Sequence, residues 1–133
     1  MKKLKLALFI CIISLISSCD GAETYQGKWK ALNSKGEKYE ITFSSEEIII
    51  KDSLGKSTKN SYIQTGCGHY GYSDKSIDTY KILLNNIQSY QIHFPKKDEN
   101  IGLIYIVLDE GESLMYTISR KSYLTYEDIN KLN

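Results

Sequence analysis

The sequence contains few of the residues that cross-link or interrupt a small domain. Its 133 residues include three cysteines, at positions 11, 19 and 67, and a single proline, Pro95. So few cysteines exclude a disulfide-dense scaffold, and one proline excludes a proline-rich linker. Neither sign of charge dominates, with 17 Lys and Arg against 16 Asp and Glu. We therefore expect no nucleic-acid partner, because such binding requires a strongly basic surface.

No apolar run is long enough to cross a bilayer as a helix. The run over residues 4–16 holds about a dozen apolar residues, whereas a membrane-spanning helix needs about 20. Lys2, Lys3 and Lys5 give it a cationic start, and small residues follow it. This order of a basic start, a short apolar core and a small-residue end predicts an export signal peptide.

The residues that follow this core, Ile16-Ser17-Ser18-Cys19, resemble the bacterial lipobox. In proteins with that motif, the cysteine sulfur receives a diacylglycerol and cleavage leaves the acylated cysteine as the first residue. The resemblance implies a signal peptide over residues 1–18, lipidation at Cys19 with fatty acids such as palmitate, and a tether over 19–24. The protein would then be anchored in the cell membrane or outer membrane and exposed to the periplasm or the exterior.

Two alternatives to lipidation stay open at this point. In the first, Cys19 simply lies beyond an ordinary cleavage site, and in the second the apolar segment stays uncleaved as an N-terminal anchor. Where Cys11 is removed and Cys19 is acylated, Cys67 has no cysteine partner, so we expect no disulfide within the chain.

The rest of the chain alternates apolar and polar residues with a period of two, which predicts strands buried on one face. Thr125 followed by Asp128 is typical of a helix start. We therefore predict one domain over residues 25–133 with an all-β fold, a small antiparallel meander barrel of about eight strands with a short C-terminal helix. The strands are expected near residues 25–31, 39–43, 48–50, 62–65, 80–84, 90–94, 101–109 and 114–118.

Gly27-Lys28-Trp29 on the first predicted strand resembles the opening motif of the lipocalins and their calycin relatives. Those barrels place an arginine or lysine from the last strand over the tryptophan, and Arg120 matches it here, in phase with Tyr116 and Ile118. The resemblance implies that Gly27, Trp29 and Arg120 close one end of the barrel. A barrel of about eight strands has an interior that is either filled by side chains or able to take one small ligand. In the filled case the barrel would act through its outer face or loops, and in the other case inward aromatic residues would contact an apolar ligand: Tyr39, Phe43, Tyr90 and Phe94.

The glycine-rich stretch around Cys67 offers the strongest candidate for catalytic or metal chemistry. Cys67, His69 and His93 together supply three ligand types that zinc accepts, and a cysteine beside a histidine also suits nucleophilic catalysis. The simpler interpretation is a bulged or tightly bent strand, which Gly66, Gly68 and Gly71 allow. We prefer that interpretation, and we expect no catalytic residue, no metal and no cofactor.

Two further motifs are better explained as turns between strands. The segment "SLGKST" at 53–58 resembles a phosphate-binding loop, but Ile50 stands where the first glycine is required and no helix follows. Asp109, Glu110 and Glu112 carry the carboxylates that calcium prefers, without the spacing of a calcium loop. We predict a hairpin turn at each, and a further turn at Asn85-Asn86.

These observations favour a membrane-anchored envelope lipoprotein that acts as a non-catalytic binding module. Its expected partners are the membrane, through Cys19, and either a small apolar ligand or an envelope component. The alternative is a protein-interaction lipoprotein such as an inhibitor or immunity factor, an analogy that rests on size and architecture alone.

Overall fold

The structure is a computed structural model that describes residues 22–70, 77–96 and 98–132. Within these residues the chain forms eight strands and two short helices. They are α1 (Ala22–Tyr25), β1 (Gly27–Leu32), β2 (Lys38–Phe43), β3 (Glu47–Asp52), β4 (Ser57–Tyr70), β5 (Ile77–Leu84), β6 (Gln88–His93), β7 (Ile101–Leu108), β8 (Gly111–Ser119) and α2 (Tyr126–Asn130).

The strands pair antiparallel in sequence order, and β1 also pairs with β8, so the sheet closes into a barrel. The predicted all-β meander barrel with a short C-terminal helix is confirmed. Closure pairs both edges of the sheet, which removes the exposed edge strands that a small open sheet would present.

Alternation along the strands sends one set of side chains into the barrel. In β1, Trp29 and Ala31 are buried while Lys28 and Lys30 are exposed. Directly paired residues share a face, so the pairing of Ala31 with Ile118 on β8 continues the buried set across the closure. The interior is thus one continuous hydrophobic core.

The first strand begins two residues later than expected. Gly27, the first residue of β1, has φ of +100°, a conformation that residues with a Cβ rarely adopt, and only Gln26 separates it from α1. Tyr25, predicted on the strand, instead belongs to the helical turn α1 and is fully buried. The alternating pattern identified Tyr25 as inward-facing but could not show that it enters through the end of the barrel.

The glycine-rich stretch continues strand β4 instead of interrupting it. β4 runs for 14 residues through Gly66, Cys67 and Gly68, and its pairing with β5 shifts register between Gln64 and Gly66. The predicted bulge is therefore present. Gly71, which was also expected to allow a bend, lies outside the described residues.

The predicted turns join neighbouring strands at one end of the barrel. Asn85 and Asn86 take left-handed conformations, with φ of 51° and 61°, between β5 and β6. Asp109 and Glu110 form the turn between β7 and β8, whose flanking residues Leu108 and Gly111 pair directly. The segment at 53–58 contributes a turn between β3 and β4, as expected.

The C-terminal segment packs on the outside of the barrel. Thr125 caps α2 as predicted: its hydroxyl accepts a hydrogen bond from the Asp128 amide, and the Asp128 carboxylate accepts one from the Thr125 amide. Ile129 of α2 is buried, and the Thr117 hydroxyl on β8 donates to the Leu124 carbonyl. Neither helix in the described part of the chain is long and apolar enough to cross a bilayer.

Candidate functional site

Arg120 closes one end of the barrel, which we call the closed end. Its guanidinium carbon lies 3.7 Å from the centre of the Trp29 ring. The same group donates hydrogen bonds to three backbone carbonyls, those of Thr24 at 3.0 Å, Gln26 at 2.7 Å and Lys28 at 3.2 Å. Burial lowers the pKa of Arg120 from its ordinary value, but the group stays charged at neutral pH. One side chain thus joins the last strand, the first strand and α1.

Gly27 is required at this end both for its backbone conformation and for space. A Cβ placed on Gly27 would lie 2.8 Å from the Arg120 Nη1 atom, closer than such contacts occur. The structure therefore brings together the three residues that the lipocalin resemblance singles out, Gly27, Trp29 and Arg120. A larger residue at position 27 would displace the guanidinium from its carbonyl acceptors.

Tyr25 fills the barrel from the closed end and is a residue that sequence reasoning did not assign to the site. Its ring packs edge-on against Phe43 and Tyr80, with ring centres 5.4 and 5.3 Å away. Its hydroxyl donates to Gln64 on β4 at 2.6 Å, and its carbonyl accepts from the Trp29 indole at 2.8 Å. Burial, with further contributions from neighbouring tyrosines, raises the pKa of Tyr25 well above its ordinary value. The closed end is therefore a packed aromatic plug.

The opposite end of the barrel carries three half-buried tyrosines. Tyr39 and Tyr116 pack edge-on with ring centres 5.4 Å apart, and Tyr90 also packs against the core. Burial raises the pKa of Tyr116, and the nearby Tyr39 and Tyr90 raise it further. These neutral rings sit above the aliphatic middle of the core.

A small cavity of about 40 Å³ lies inside the barrel between these two ends. Its walls are apolar side chains such as Ile82 and Ile104, with Phe43 on one side and Tyr90 and Tyr116 on another. Sites for drug-sized ligands occupy roughly 300–1,000 Å³. The side chains therefore nearly fill the interior.

The four aromatic residues expected to contact a ligand do not surround a common pocket. Phe43 and Phe94 are buried at 2 % exposure and pack in the aromatic plug of the closed end. Tyr39 and Tyr90 lie toward the other end, and only Phe43 and Tyr90 border the cavity. Their inward direction was predictable from alternation, but their distribution along the barrel axis depends on strand stagger.

The two candidate metal ligands whose side chains the structure describes, Cys67 and His93, are not brought together. Cys67 pairs with Tyr80, whose side chain is in the core, whereas His93 pairs with Thr79 on the other face of the sheet. The His93 Nδ1 atom lies 2.9 Å from the Thr79 hydroxyl. The side chain of His69 lies outside the described residues, and within the described part no group of three or more His, Cys, Asp or Glu residues is arranged to hold a metal.

Cys67 is disulfide-bonded in the structure, so the expectation of no disulfide within the chain is wrong for this form. The two other cysteines of the sequence, Cys11 and Cys19, lie outside the described residues. The expectation assumed that signal cleavage and lipidation had already removed both partners.

These features define the class of the protein as a closed, eight-stranded antiparallel barrel with a packed interior. Comparisons of the chain with protein-family models, with curated proteins and with solved structures each gave no match.

Proposed function

We propose that this protein is a lipid-anchored cell-envelope lipoprotein whose barrel is a non-catalytic binding module related to the lipocalins. The lipobox-like stretch that ends at Cys19 supports the anchor. The meander barrel with Arg120 over Trp29, next to a glycine at position 27, supports the relationship to lipocalins. The module would be exposed to the periplasm or the exterior.

The size of the interior cavity indicates which kind of partner the barrel binds. A cavity of about 40 Å³ is several times smaller than the smallest ordinary ligand pocket. Enclosing an apolar ligand would require the aromatic side chains around it to leave the core. We therefore favour contact with an envelope component through the outer surface, and this observation carries the proposal.

Dye and ligand binding by the delipidated protein test this preference. We expect that protein purified from its own host carries no apolar ligand in native mass spectrometry and binds no apolar dye. A Tyr116→Ala variant, which enlarges the cavity, is the matched control and is expected to gain dye binding. Saturable dye binding or a stoichiometric apolar ligand in the unsubstituted protein would instead establish the interior as the binding site.

A small apolar ligand remains the second candidate because the cavity walls carry no charged group. An inhibitor or immunity factor would also act by contact through the outer surface, with a toxin or lytic enzyme as its partner. A pull-down with the anchored protein separates these functions, since an immunity factor retains one protein in a stoichiometric ratio. A neighbouring toxin gene would support the same interpretation.

The anchor itself is tested by the chemistry of the cysteines. Cleavage before Cys19 removes Cys11, and a thioether to lipid occupies the Cys19 sulfur. A mature lipoprotein therefore excludes a disulfide between Cys67 and another cysteine of the same chain. Intact mass spectrometry after alkylation without reductant distinguishes the two forms. We expect the mass of the acylated chain with one alkyl group, whereas an unacylated chain with an oxidised cysteine pair would refute the anchor.

A further inference from the structure

The described chain begins at the closed end of the barrel and is held there. The carbonyls of Thr24 and Gln26 accept hydrogen bonds from Arg120, and the Thr24 hydroxyl accepts one from Tyr80 at 3.3 Å. Tyr25 is buried in the plug. The residues directly after Ala22, the first residue of α1, therefore hold it at the barrel.

Little chain separates this fixed point from the proposed lipid. Asp20 and Gly21 are the only residues between Cys19 and Ala22. Three residue steps span at most about 10 Å when fully extended. A lipid on Cys19 places that residue at the bilayer surface, so the closed end must lie within about 10 Å of it.

The other end of the barrel lies farther from Cys19 than the short chain before Ala22 can span. Its hairpin turns, which we call the rim, join β1 to β2, β3 to β4, β5 to β6 and β7 to β8. Strands of up to nine residues in the regular part of the barrel, tilted as in small barrels, separate the rim from the closed end by roughly 20 Å. For the barrel to turn over and place its rim on the membrane, the chain between Cys19 and Ala22 would have to be about twice as long.

We propose that the closed end docks on the bilayer that anchors the protein, which turns the rim away from the membrane. This inference rests on the proposed lipidation of Cys19. At the rim, Leu54 and Ile87 on two turns and Leu108 at the end of β7 expose apolar side chains, which are 92, 84 and 46 % exposed. These side chains face away from the anchoring bilayer and are available to a partner beyond it.

The charges at the closed end indicate that chain length, not electrostatic attraction, sets this orientation. Glu46 lies in the turn between β2 and β3, and Lys96, Asp98, Glu99 and Lys121 lie in the neighbouring segments. Both signs are present among these described residues, two positive and three negative, so they supply no excess of positive charge to attract anionic lipid. The orientation is therefore expected to persist when salt rises from about 0.05 to about 0.5 M.

Quenching by lipid measures the orientation in the full lipoprotein. A Cys67→Ala background carries one new thiol, either Glu46→Cys at the closed end or Leu54→Cys on the rim, labelled with a fluorophore. Each protein is reconstituted into phosphatidylethanolamine and phosphatidylglycerol vesicles that contain a nitroxide on the headgroup. We expect the label at position 46 to be quenched at least about twofold more than that at position 54, because roughly 20 Å exceeds the quencher's short reach.

A linker variant identifies the cause of any difference. About 12 Gly and Ser residues inserted between Asp20 and Gly21 allow the barrel to turn, so the difference between the two labels is expected to disappear. Equal quenching with the native spacing, or stronger quenching at position 54, would overturn the orientation. Intact mass measured beforehand separates this failure from that of the anchor, because an unacylated chain refutes the anchor itself.

Discussion

Replacing Arg120 tests whether this side chain stabilises the closed end of the barrel. Arg120→Ala removes three hydrogen bonds from a charged donor and the guanidinium–indole contact. Such hydrogen bonds contribute about 1.5–3 kcal/mol each, and the ring contact about 0.5–2 kcal/mol. These values do not add in full, because Arg120 is only half-buried and water can reach the carbonyls left behind. We expect a loss of about 2–3 kcal/mol in the free energy of unfolding.

Urea unfolding measures this loss directly through Trp29. Trp29 is the only tryptophan of the chain and is fully buried beneath Arg120, so its fluorescence reports on the closed end. Far-UV circular dichroism reports on the whole barrel in the same titration. For a domain of this size the loss corresponds to a fall of about 10 °C in the melting temperature.

Two variants show whether the geometry of the guanidinium is the cause. Arg120→Lys keeps the charge but cannot reach three carbonyls while covering the indole, so about half of the loss is expected. Lys28→Ala removes an exposed cation whose ion pair with Glu40 spans 3.4 Å, and its effect should stay within about 0.5 kcal/mol. An Arg120→Ala protein as stable as the unsubstituted one would refute the assigned role of Arg120.

Three further predictions concern separate parts of the barrel. Gly27→Ala should lower the free energy of unfolding by about 1 kcal/mol more than Gly36→Ala does. Both glycines have positive φ, but only at position 27 would the new Cβ contact the Arg120 side chain. Equal urea midpoints would contradict this prediction. Burial lowers the pKa of His93 despite the opposing charge of Glu112, so unfolding takes up a proton and stability falls as pH drops from about 7 to about 5. His93→Gln should flatten that fall, and an NMR titration that places the His93 pKa above 6.5 would disprove the shift. Thr125→Ala removes the cap of α2, which is expected to cost about 1 kcal/mol in local stability. Amide hydrogen exchange at Ile129, whose N–H donates to the Thr125 carbonyl, should therefore become about fivefold faster. Unchanged exchange would argue against the cap.

Alternation and turn chemistry were sufficient to predict most of the strands and the class of the fold. The pattern in β1 and β8 identified Trp29 and Ile118 as inward residues, because a period of two follows from the pleated backbone alone. Asn85-Asn86 and Thr125 likewise marked a turn and a helix start, since their side chains act on nearby backbone. These features depend on neighbours within a few residues along the chain.

The sequence by itself determined the all-β class of the domain and the inward direction of aromatic residues such as Trp29 and Phe43. Only the tertiary structure decided that Tyr25 fills the closed end from a helical turn and that the side chains leave about 40 Å³ of space. It also placed Cys67 and His93 on opposite faces of the sheet. The physical reason is that barrel stagger and a bulge set which residues share a level, and neither quantity is encoded in the local alternation.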